Sequence, residues 1–203
     1  MTLPVTANFT GTNGTVINTL TDWDGAGEGA ASGGLDIQSN AAQANLASHV
    51  NANWWTTDSF NAAQKSTATV VAITSGIFVG VGVRIGGTDG GSNLSGYFFY
   101  SDSADGCYID KYVLGVFISS LAGPGAVFAV NDVVYLEITS GNVLTGKVNG
   151  VDRLSVTDSI APIASGAAGI CAYSDGASRV DDWTGDNLSA GGVVGPGRLD
   201  RDL

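Results

Sequence analysis

Aromatic and acidic side chains are the residues of this chain whose chemistry best suits a ligand. Sugar rings stack on aromatic faces, and sugar hydroxyls form hydrogen bonds with carboxylates and guanidinium groups. The pair Trp54-Trp55 and the segments RIGGTDG and GYFFY bring these residue types together. We therefore predict a glycan-binding site formed by Trp54, Trp55, Arg84, Asp89, Tyr97 and Tyr100.

These aromatic residues also have a structural interpretation. Side chains alternate between the two faces of a strand, so one of Trp54 and Trp55 points inward and only the other can stack on a sugar. By the same rule, half of the aromatic residues in GYFFY belong to a core. Both interpretations stay open at this point.

Several aspartates supply the hard oxygen ligands that Ca²⁺ prefers. Aspartate also caps turns through hydrogen bonds to nearby backbone amides, which explains the same positions without a metal. The sequence has no EF-hand spacing, so we expect no cofactor, with calcium as the alternative. The candidate calcium ligands are Asp102, Asp105, Asp181 and Asp182.

Short strands are the elements that must position these side chains. Val134, Leu136 and Ile138 alternate with polar or half-buried positions, and turns at Gly141-Asn142 and Asn149-Gly150 follow, which predicts successive hairpins. Strand candidates recur along the chain at the spacing of a sandwich or barrel. They cover residues 5–10, 15–20, 35–39, 44–49, 66–73, 78–85, 96–101, 107–113, 116–121 and 133–139.

Two further patterns concern the core. In FVGVGVRIGG, alternation places the valines inward and Gly80, Gly82 and Arg84 outward, and the outward glycines suggest sheet curvature or the close approach of a ligand. The acid-flanked Trp23 and Trp183 suit strands whose ends meet at one rim of a sheet.

Composition excludes several classes of function. The 203-residue chain has a formal net charge of -11 and only eight Lys and Arg residues, without a basic stripe for nucleic acid. No apolar run is long enough to span a membrane, and the N-terminal sequence does not resemble a signal peptide, which predicts synthesis in the cytoplasm.

Cys107 and Cys171 are expected to be buried thiols, with a single bridge as the alternative.

The strand order resembles the concanavalin A-like jelly roll of lectins, glucanases and laminin-G domains. LDIQSN, SGYFFYSD, GCYIDKYV, VVYLEITSGNVLTGKVNG and GAAGICAYSDGASRVDDWTGDNL carry the resemblance, which covers roughly residues 5–188. It implies an all-β, two-sheet antiparallel sandwich over residues 1–188. It also implies that the concave face or its rim loops can bind glycans.

The resemblance also bears on catalysis. Glucanases of this fold are implied to carry a Glu-x-Asp-x-x-Glu strand, and retaining hydrolysis needs two carboxyl groups about 5 Å apart. Here Glu28 lies in a Gly/Ala segment, Glu137 stands alone in YLEIT, and His49 is the single histidine. We therefore predict that the protein is not an enzyme.

The C-terminal segment 189–203 is rich in Gly and Pro and is predicted to be an extended arm. A lysine-poor sandwich with such arms resembles bacteriophage virion proteins. This predicts a capsid decoration (cement) protein or a tail or fibre component, located in the virion, a trimer or dimer, that binds capsid or tail subunits. The predicted docking residues are Leu3, Val5, Val193, Val194, Arg198, Leu199 and Arg201.

The alternative function is a lectin-like carbohydrate-binding module that attaches to a surface glycan on a host. A glycan-active enzyme is the third and least favoured interpretation, for want of the carboxylate pair. No nucleic-acid or membrane partner is expected.

Overall fold

Alternating apolar and polar residues produce fifteen strands in the part of the chain that the computed structural model describes, residues 3–28, 34–46, 48–174 and 176–189. Apart from one 3₁₀ turn at Ile17–Thr19, these residues contain no helix. Numbered along the chain, the strands are β1 (Val5–Ala7), β2 (Trp23–Gly27), β3 (Leu35–Ile37), β4 (Ala42–Ala44), β5 (Val50–Trp55), β6 (Gln64–Ala72), β7 (Val79–Gly86), β8 (Ser95–Ser101), β9 (Cys107–Val113), β10 (Val116–Gly125), β11 (Val133–Ile138), β12 (Val143–Val148), β13 (Val151–Thr157), β14 (Ala167–Tyr173) and β15 (Arg179–Asn187).

The strands form two antiparallel sheets. Sheet A has the order β13-β12-β11-β6-β15-β4-β3, with β1 also paired to β15, and sheet B has the order β10-β9-β8-β7-β14-β5-β2. One apolar core fills the space between the sheets, and it draws on strands from both. The predicted all-β, two-sheet architecture is therefore confirmed.

The hairpins of sheet A follow the sequence pattern. Val134, Leu136 and Ile138 face the core, and β11 pairs with β12 in the register Val134↔Val148. The next turn places Asn149 and Gly150 at positive φ, the backbone geometry that a tight two-residue hairpin turn requires. The sequence therefore predicted correctly both the positions of these strands and which of their side chains face the core.

A tryptophan cluster closes one end of the core. Trp23 on β2 contacts Trp183 on β15 with ring centroids 4.8 Å apart, and Trp55 packs against both rings. The Trp183 indole N–H donates to Ser66 Oγ at 2.8 Å. The two acid-flanked tryptophans do meet, but across the core between the two sheets instead of at one rim of a single sheet.

Two predicted strands do not form as expected. Segment 15–20 forms the 3₁₀ turn because both the backbone N–H and the hydroxyl of Thr19 donate to the Val16 carbonyl. Segment 44–49 lies between two strands apart from its first residue, since β4 ends at Ala44 and β5 begins at Val50. β1 is also shorter than predicted and ends at Ala7.

A bulge in β7 changes the facing of one predicted residue. The register between β7 and β8 shifts between Val83 and Gly86, and Arg84 adopts a φ of 50°. Its side chain therefore turns into the protein, and the prediction that Arg84 points outward is wrong. Gly82 does face outward, where the Phe98 ring covers it so closely that an added Cβ would lie 2.7 Å from a ring carbon.

The remaining sequence predictions concern cysteines, the N-terminal docking residues and the arm. Cys107 and Cys171 are buried free thiols, as predicted. Val5 is buried in the protein's own core, where it pairs with Gly185, so its side chain does not reach another chain. Leu3 is partly buried against the same core, and its docking role stays a prediction. Val193, Val194, Arg198, Leu199 and Arg201, with the rest of the predicted arm from residue 190 on, lie outside the described residues. Within the described residues, no helix is long and apolar enough to cross a membrane.

Candidate functional site

The face of sheet B that points away from sheet A carries a second apolar cluster, which we call the outer face. Its members come from alternate positions of the strands whose other positions fill the main core. On β8, for example, Tyr97 and Phe99 face the core, whereas Phe98 and Tyr100 face outward. Sheet B therefore has two buried faces.

Strand register assembles one part of this face into a depression. Tyr100 of β8 lies opposite Tyr108 of β9, and Asp110 of β9 lies opposite Ser120 of β10. The resulting aromatic depression has a volume of about 370 Å³. It is lined by Phe78, Tyr100, Asp105, Tyr108, Asp110, Tyr112, Phe117 and Ser120.

Aromatic rings form the walls of the aromatic depression. Phe78 stacks on Tyr100 with centroids 4.8 Å apart and planes 24° apart, and Tyr112 meets Phe117 at 5.5 Å and 63°. Phe117 is 49% exposed, and Phe78 and Tyr108 are half-buried, so these rings offer surface to a ligand. A flat, partly apolar ligand could stack on them.

Asp110 supplies the polar group at the floor of the depression. The residue is only 2% exposed, and its carboxylate accepts hydrogen bonds from the hydroxyls of Tyr100 and Ser120. Burial raises the pKa of Asp110, although both hydrogen bonds act to lower it. A buried carboxylate surrounded by rings can accept further hydrogen bonds from ligand hydroxyl or amino groups.

The tyrosine hydroxyls around Asp110 stay protonated. Burial, followed by the charge of Asp110, raises the pKa of Tyr100, and burial, followed by the charge of Glu28, raises that of Tyr112. Glu28 in turn lies 3.8 Å from His49. The site therefore presents neutral hydroxyl groups beside negative charge.

The predicted tryptophans lie elsewhere on sheet B. Trp55 belongs to the core and Trp54 to the outer face, as alternation predicts, and each is only 5% exposed. Both line a second depression of about 340 Å³, together with Asp58, Phe60 and other residues. Trp55 donates its indole N–H to Asp58 at 3.1 Å, which fixes the ring in place. Little ring surface remains for stacking.

Two predicted glycan-binding residues are structural. Arg84 is 1% exposed and donates hydrogen bonds to the carbonyls of Ala62, Thr139 and Ile163. Tyr97 is buried and donates to Asp158 at 2.7 Å. We correct the prediction that these two side chains contact a sugar, because neither reaches the surface.

Asp89 lies at the far edge of sheet B, beside β2. Its carboxylate accepts hydrogen bonds from Asn18 at 2.9 Å and from the backbone N–H of Gly25 at 3.1 Å. Of the six predicted residues, only Tyr100 lines the aromatic depression. The structure therefore does not bring the predicted set together.

The four candidate calcium ligands form two separate pairs. Asp102 is buried and accepts hydrogen bonds from the backbone N–H groups of Gly76, Ala104 and Asp105, which is turn capping. Asp181 and Asp182, on β15 in the other sheet, accept from Phe9 and Asn8. No group of three or more metal-ligating side chains occurs among the described residues, and calcium stays a prediction.

Sequence inspection missed most of the aromatic depression. The segment YIDKY of β9 places Tyr108, Asp110 and Tyr112 on one face, and this period-two pattern could have signalled the site. Phe78 and Phe117 carry no such signal, because they join the site only through the pairing of β7, β8, β9 and β10.

Comparison with solved structures gives the fold. A protein of unknown function with a galectin-like fold from Bacillus subtilis matches with a TM-score of 0.56 and 12% identity over 87% of this chain and 97% of its own. The carbohydrate-binding module CBM66 from Bacillus subtilis matches with a TM-score of 0.56 and 14% identity over 92% and 99% of the two chains. A third match, at TM-score 0.57 and 11% identity over 93% and 100%, comes from work on human gut microbiota that express endo-acting O-glycanases to initiate mucin breakdown.

These matches define the class of fold. Together with the two antiparallel sheets, they show that the chain is a galectin-like jelly-roll sandwich of the concanavalin A-like type. The similar structures are mostly carbohydrate-binding or lectin modules. No family model and no curated protein sequence matches the chain.

Proposed function

We propose that this protein is a carbohydrate-binding module that holds a glycan in the aromatic depression of sheet B. The observation that carries the proposal is the ring of partly exposed aromatic side chains around a buried carboxylate, Asp110. Rings of this kind stack on sugar faces, while a carboxylate and tyrosine hydroxyls form hydrogen bonds with sugar hydroxyls. The galectin-like fold and its similarity to the CBM66 module support the same function.

Binding is favoured over hydrolysis by the residues of β9. Its three outward side chains at the depression are Tyr108, Asp110 and Tyr112, and the turn before β9 adds a second carboxylate, Asp105. Asp110 is 2% exposed and is held by the hydroxyls of Tyr100 and Ser120, whereas Asp105 is exposed, so the two carboxyl groups are not equivalent in access. Cleavage by the common glycosidase mechanism uses a pair of carboxyl groups, one on each side of the scissile bond. Glu137 is on sheet A, where it pairs with Lys147, so it does not complete such a pair.

Removing the exposed rings tests the proposal. We expect a glycan array to identify ligands of the wild-type protein, and Tyr108→Ala and Phe117→Ala to weaken binding by about tenfold each, the effect of losing one stacking contact. Isothermal titration with the best array ligand measures the change. Both residues are partly exposed, so the fold is expected to tolerate the substitutions.

Tyr135→Ala is the matched control. Tyr135 lies on sheet A, where it donates a hydrogen bond to Glu137 and lies under Lys147, far from sheet B. Its replacement is expected to leave affinity unchanged. An array without any ligand, or equal affinities for all three variants and the wild type, would rule out the aromatic depression as a glycan site.

The virion interpretation stays a prediction from the sequence. None of the structural matches described above concerns a capsid or tail protein. Of the predicted docking residues, Val5 is in the core, Leu3 is partly buried, and the others lie outside the described residues. The virion location, the capsid or tail partner and the trimeric or dimeric state remain predictions with it. A virion protein that attaches to a glycan on the host surface would be compatible with the proposed function.

A further inference from the structure

Neither the aromatic depression nor the outer face of sheet B carries a Lys or Arg side chain in the described part of the chain, and the single histidine, His49, is paired with Glu28 at 3.8 Å. Six Lys and Arg residues are described, and each lies on sheet A or is buried between the sheets. Those on sheet A are Lys65, Lys147, Arg153 and Arg179, and those in the interior are Arg84 and Lys111.

Lys111 shows how strand alternation removes a cation from the site. It is the neighbour of Asp110 on β9, so it points to the opposite face of sheet B. There its ammonium donates to Asp158 at 2.7 Å and to the carbonyls of Ile160 and Ala161. All three N–H groups of the Lys111 ammonium are therefore hydrogen-bonded in the interior, and its charge cannot neutralise the carboxylates of the depression.

Negatively charged side chains, by contrast, do line the depression. Asp105 and Asp110 line it, and Glu28 lies close enough to Tyr112 to raise the pKa of that hydroxyl after the effect of burial. The chain as a whole carries a formal charge of -11, which adds a negative field. A carboxylate or sulfate on a sugar would meet like charge, and none of the described Lys and Arg residues is placed to bind it.

Asp110 itself lacks a countercharge. Its hydrogen-bond partners, Tyr100 and Ser120, are neutral, and among the described residues it forms no ion pair. A carboxylate has about four acceptor positions, of which the two hydroxyls use about two. An ammonium group in the depression would supply the missing positive charge. Burial, which also raises the pKa of Asp110, strengthens the attraction between the ammonium and the Asp110 carboxylate because less water screens it.

The aromatic walls favour the same kind of ligand. The faces of aromatic rings attract cations, and enclosed sites gain more from this contact than exposed ones. Five of the eight lining residues are Phe or Tyr. A neutral sugar gains only stacking and hydrogen bonds here, whereas a sugar with an ammonium group also gains cation–π contact and the attraction of Asp110.

We propose that the aromatic depression selects glycans that carry free amino groups, such as oligomers of glucosamine, over their N-acetylated and their acidic counterparts. This inference rests on the proposed glycan-binding function and names its ligand class. Acetylation removes the positive charge while keeping the sugar ring, which makes the acetylated oligomer the closest neutral comparison.

Titration calorimetry with glucosamine and N-acetylglucosamine oligomers of equal length, and with an oligogalacturonate, tests the inference. The wild-type protein is expected to bind the amino form about tenfold more tightly than the acetylated form, as one partly desolvated cation contact would give. The oligogalacturonate is expected to show no binding. Asp110→Asn keeps the side-chain shape and is expected to abolish the preference, because it lowers the affinity for the amino form far more than the affinity for the acetylated form.

Two further variants make the result specific. Asp152→Asn removes one exposed carboxylate from sheet A, so it changes the net charge by the same amount and is expected to keep the preference. Phe117→Ala removes an exposed wall ring and is expected to reduce the preference even if Asp110→Asn does not fold.

The outcomes separate this inference from the proposed function. If both oligomers bind with equal affinity, or the acetylated form binds better, the preference for amino groups is overturned and glycan binding stands. If Asp152→Asn lowers the preference as much as Asp110→Asn does, the attraction is a property of the whole protein charge, and the site-specific inference fails. If no glycan binds, the proposed function fails as well.

Discussion

Replacing Arg84 with methionine is expected to lower the free energy of unfolding by about 3 kcal/mol, since each of three carbonyls would lose its donor at a cost of about 1 kcal/mol or more. These are the carbonyls of Ala62, Thr139 and Ile163, which the guanidinium joins at the end of the sandwich. Urea unfolding followed by tryptophan fluorescence measures the change.

Arg153→Met is the matched control for Arg84. Arg153 lies exposed on the edge strand β13, and its replacement is expected to change the free energy of unfolding by about 0.5 kcal/mol at most. A loss of the same size in the two variants would show that the buried position of Arg84 has no special role. The Arg84 network would then not be a main support of the fold.

Removing the buried cation of β9 is expected to have the second large effect. Lys111→Met would leave the Asp158 carboxylate in the interior without its ammonium partner, and breaking a buried pair in this way costs about 3–5 kcal/mol at neutral pH. The two side chains are 5% and 3% exposed, so water cannot replace the lost contact. Unfolding in urea at neutral pH checks this value.

The destabilisation caused by Lys111→Met is expected to depend on pH through the Asp158 carboxyl. Burial acts to raise the pKa of Asp158, but the hydrogen bonds from Lys111 and Tyr97 outweigh it and hold the pKa below its usual range. Such a carboxyl stabilises the fold above its unfolded pKa of about 3.9, and this contribution is lost as the pH falls through the folded pKa. In Lys111→Met we expect burial to dominate and to raise the pKa of Asp158 above its unfolded value, so the penalty shrinks as the pH falls towards about 4 and Asp158 becomes protonated.

Lys65→Met controls for the loss of any ion pair. Lys65 pairs with Asp186 at 3.2 Å on the half-exposed surface of sheet A, where such a pair is worth about 1 kcal/mol or less. Equal losses for Lys65→Met and Lys111→Met, or a Lys111→Met penalty that grows in acid, would contradict the role assigned to the buried pair.

The fold was predictable where local patterns and turns act together. The run from β11 to β13 combines period-two alternation with Asn and Gly residues that accept positive φ, so its hairpins could be placed from the sequence. The 3₁₀ turn at Ile17–Thr19 could not, because the hydrogen bonds of Thr19 to Val16 compete with an apparent strand pattern. The predicted direction of the Arg84 side chain was wrong for a related reason. A bulge reverses the face to which the following side chains point, and strict alternation assumes a strand without a bulge.

The site was harder to predict than the fold. Sequence alternation separates the two faces of β8 and β9, but it does not tell which face lies between the sheets when both are aromatic. Both tyrosines of β8 were predicted to bind a glycan, but Tyr100 lines the depression and Tyr97 lies in the core, because residues three apart on a strand face opposite sides of the sheet. The pairing of β9 with β10, which contains register shifts, brings Phe117 and Ser120 to the site and is not encoded locally.

The pairing of β1 with β15 has a practical consequence for how the molecule can be attached. Val5 lies beside Gly185, so the chain enters and leaves the sandwich at neighbouring points of sheet A. The aromatic depression is on the face of sheet B that points away from sheet A. A tether, tag or fused domain joined to the chain beside β1 or β15 would therefore hold the sandwich from the side of sheet A and leave the aromatic depression facing away from the point of attachment.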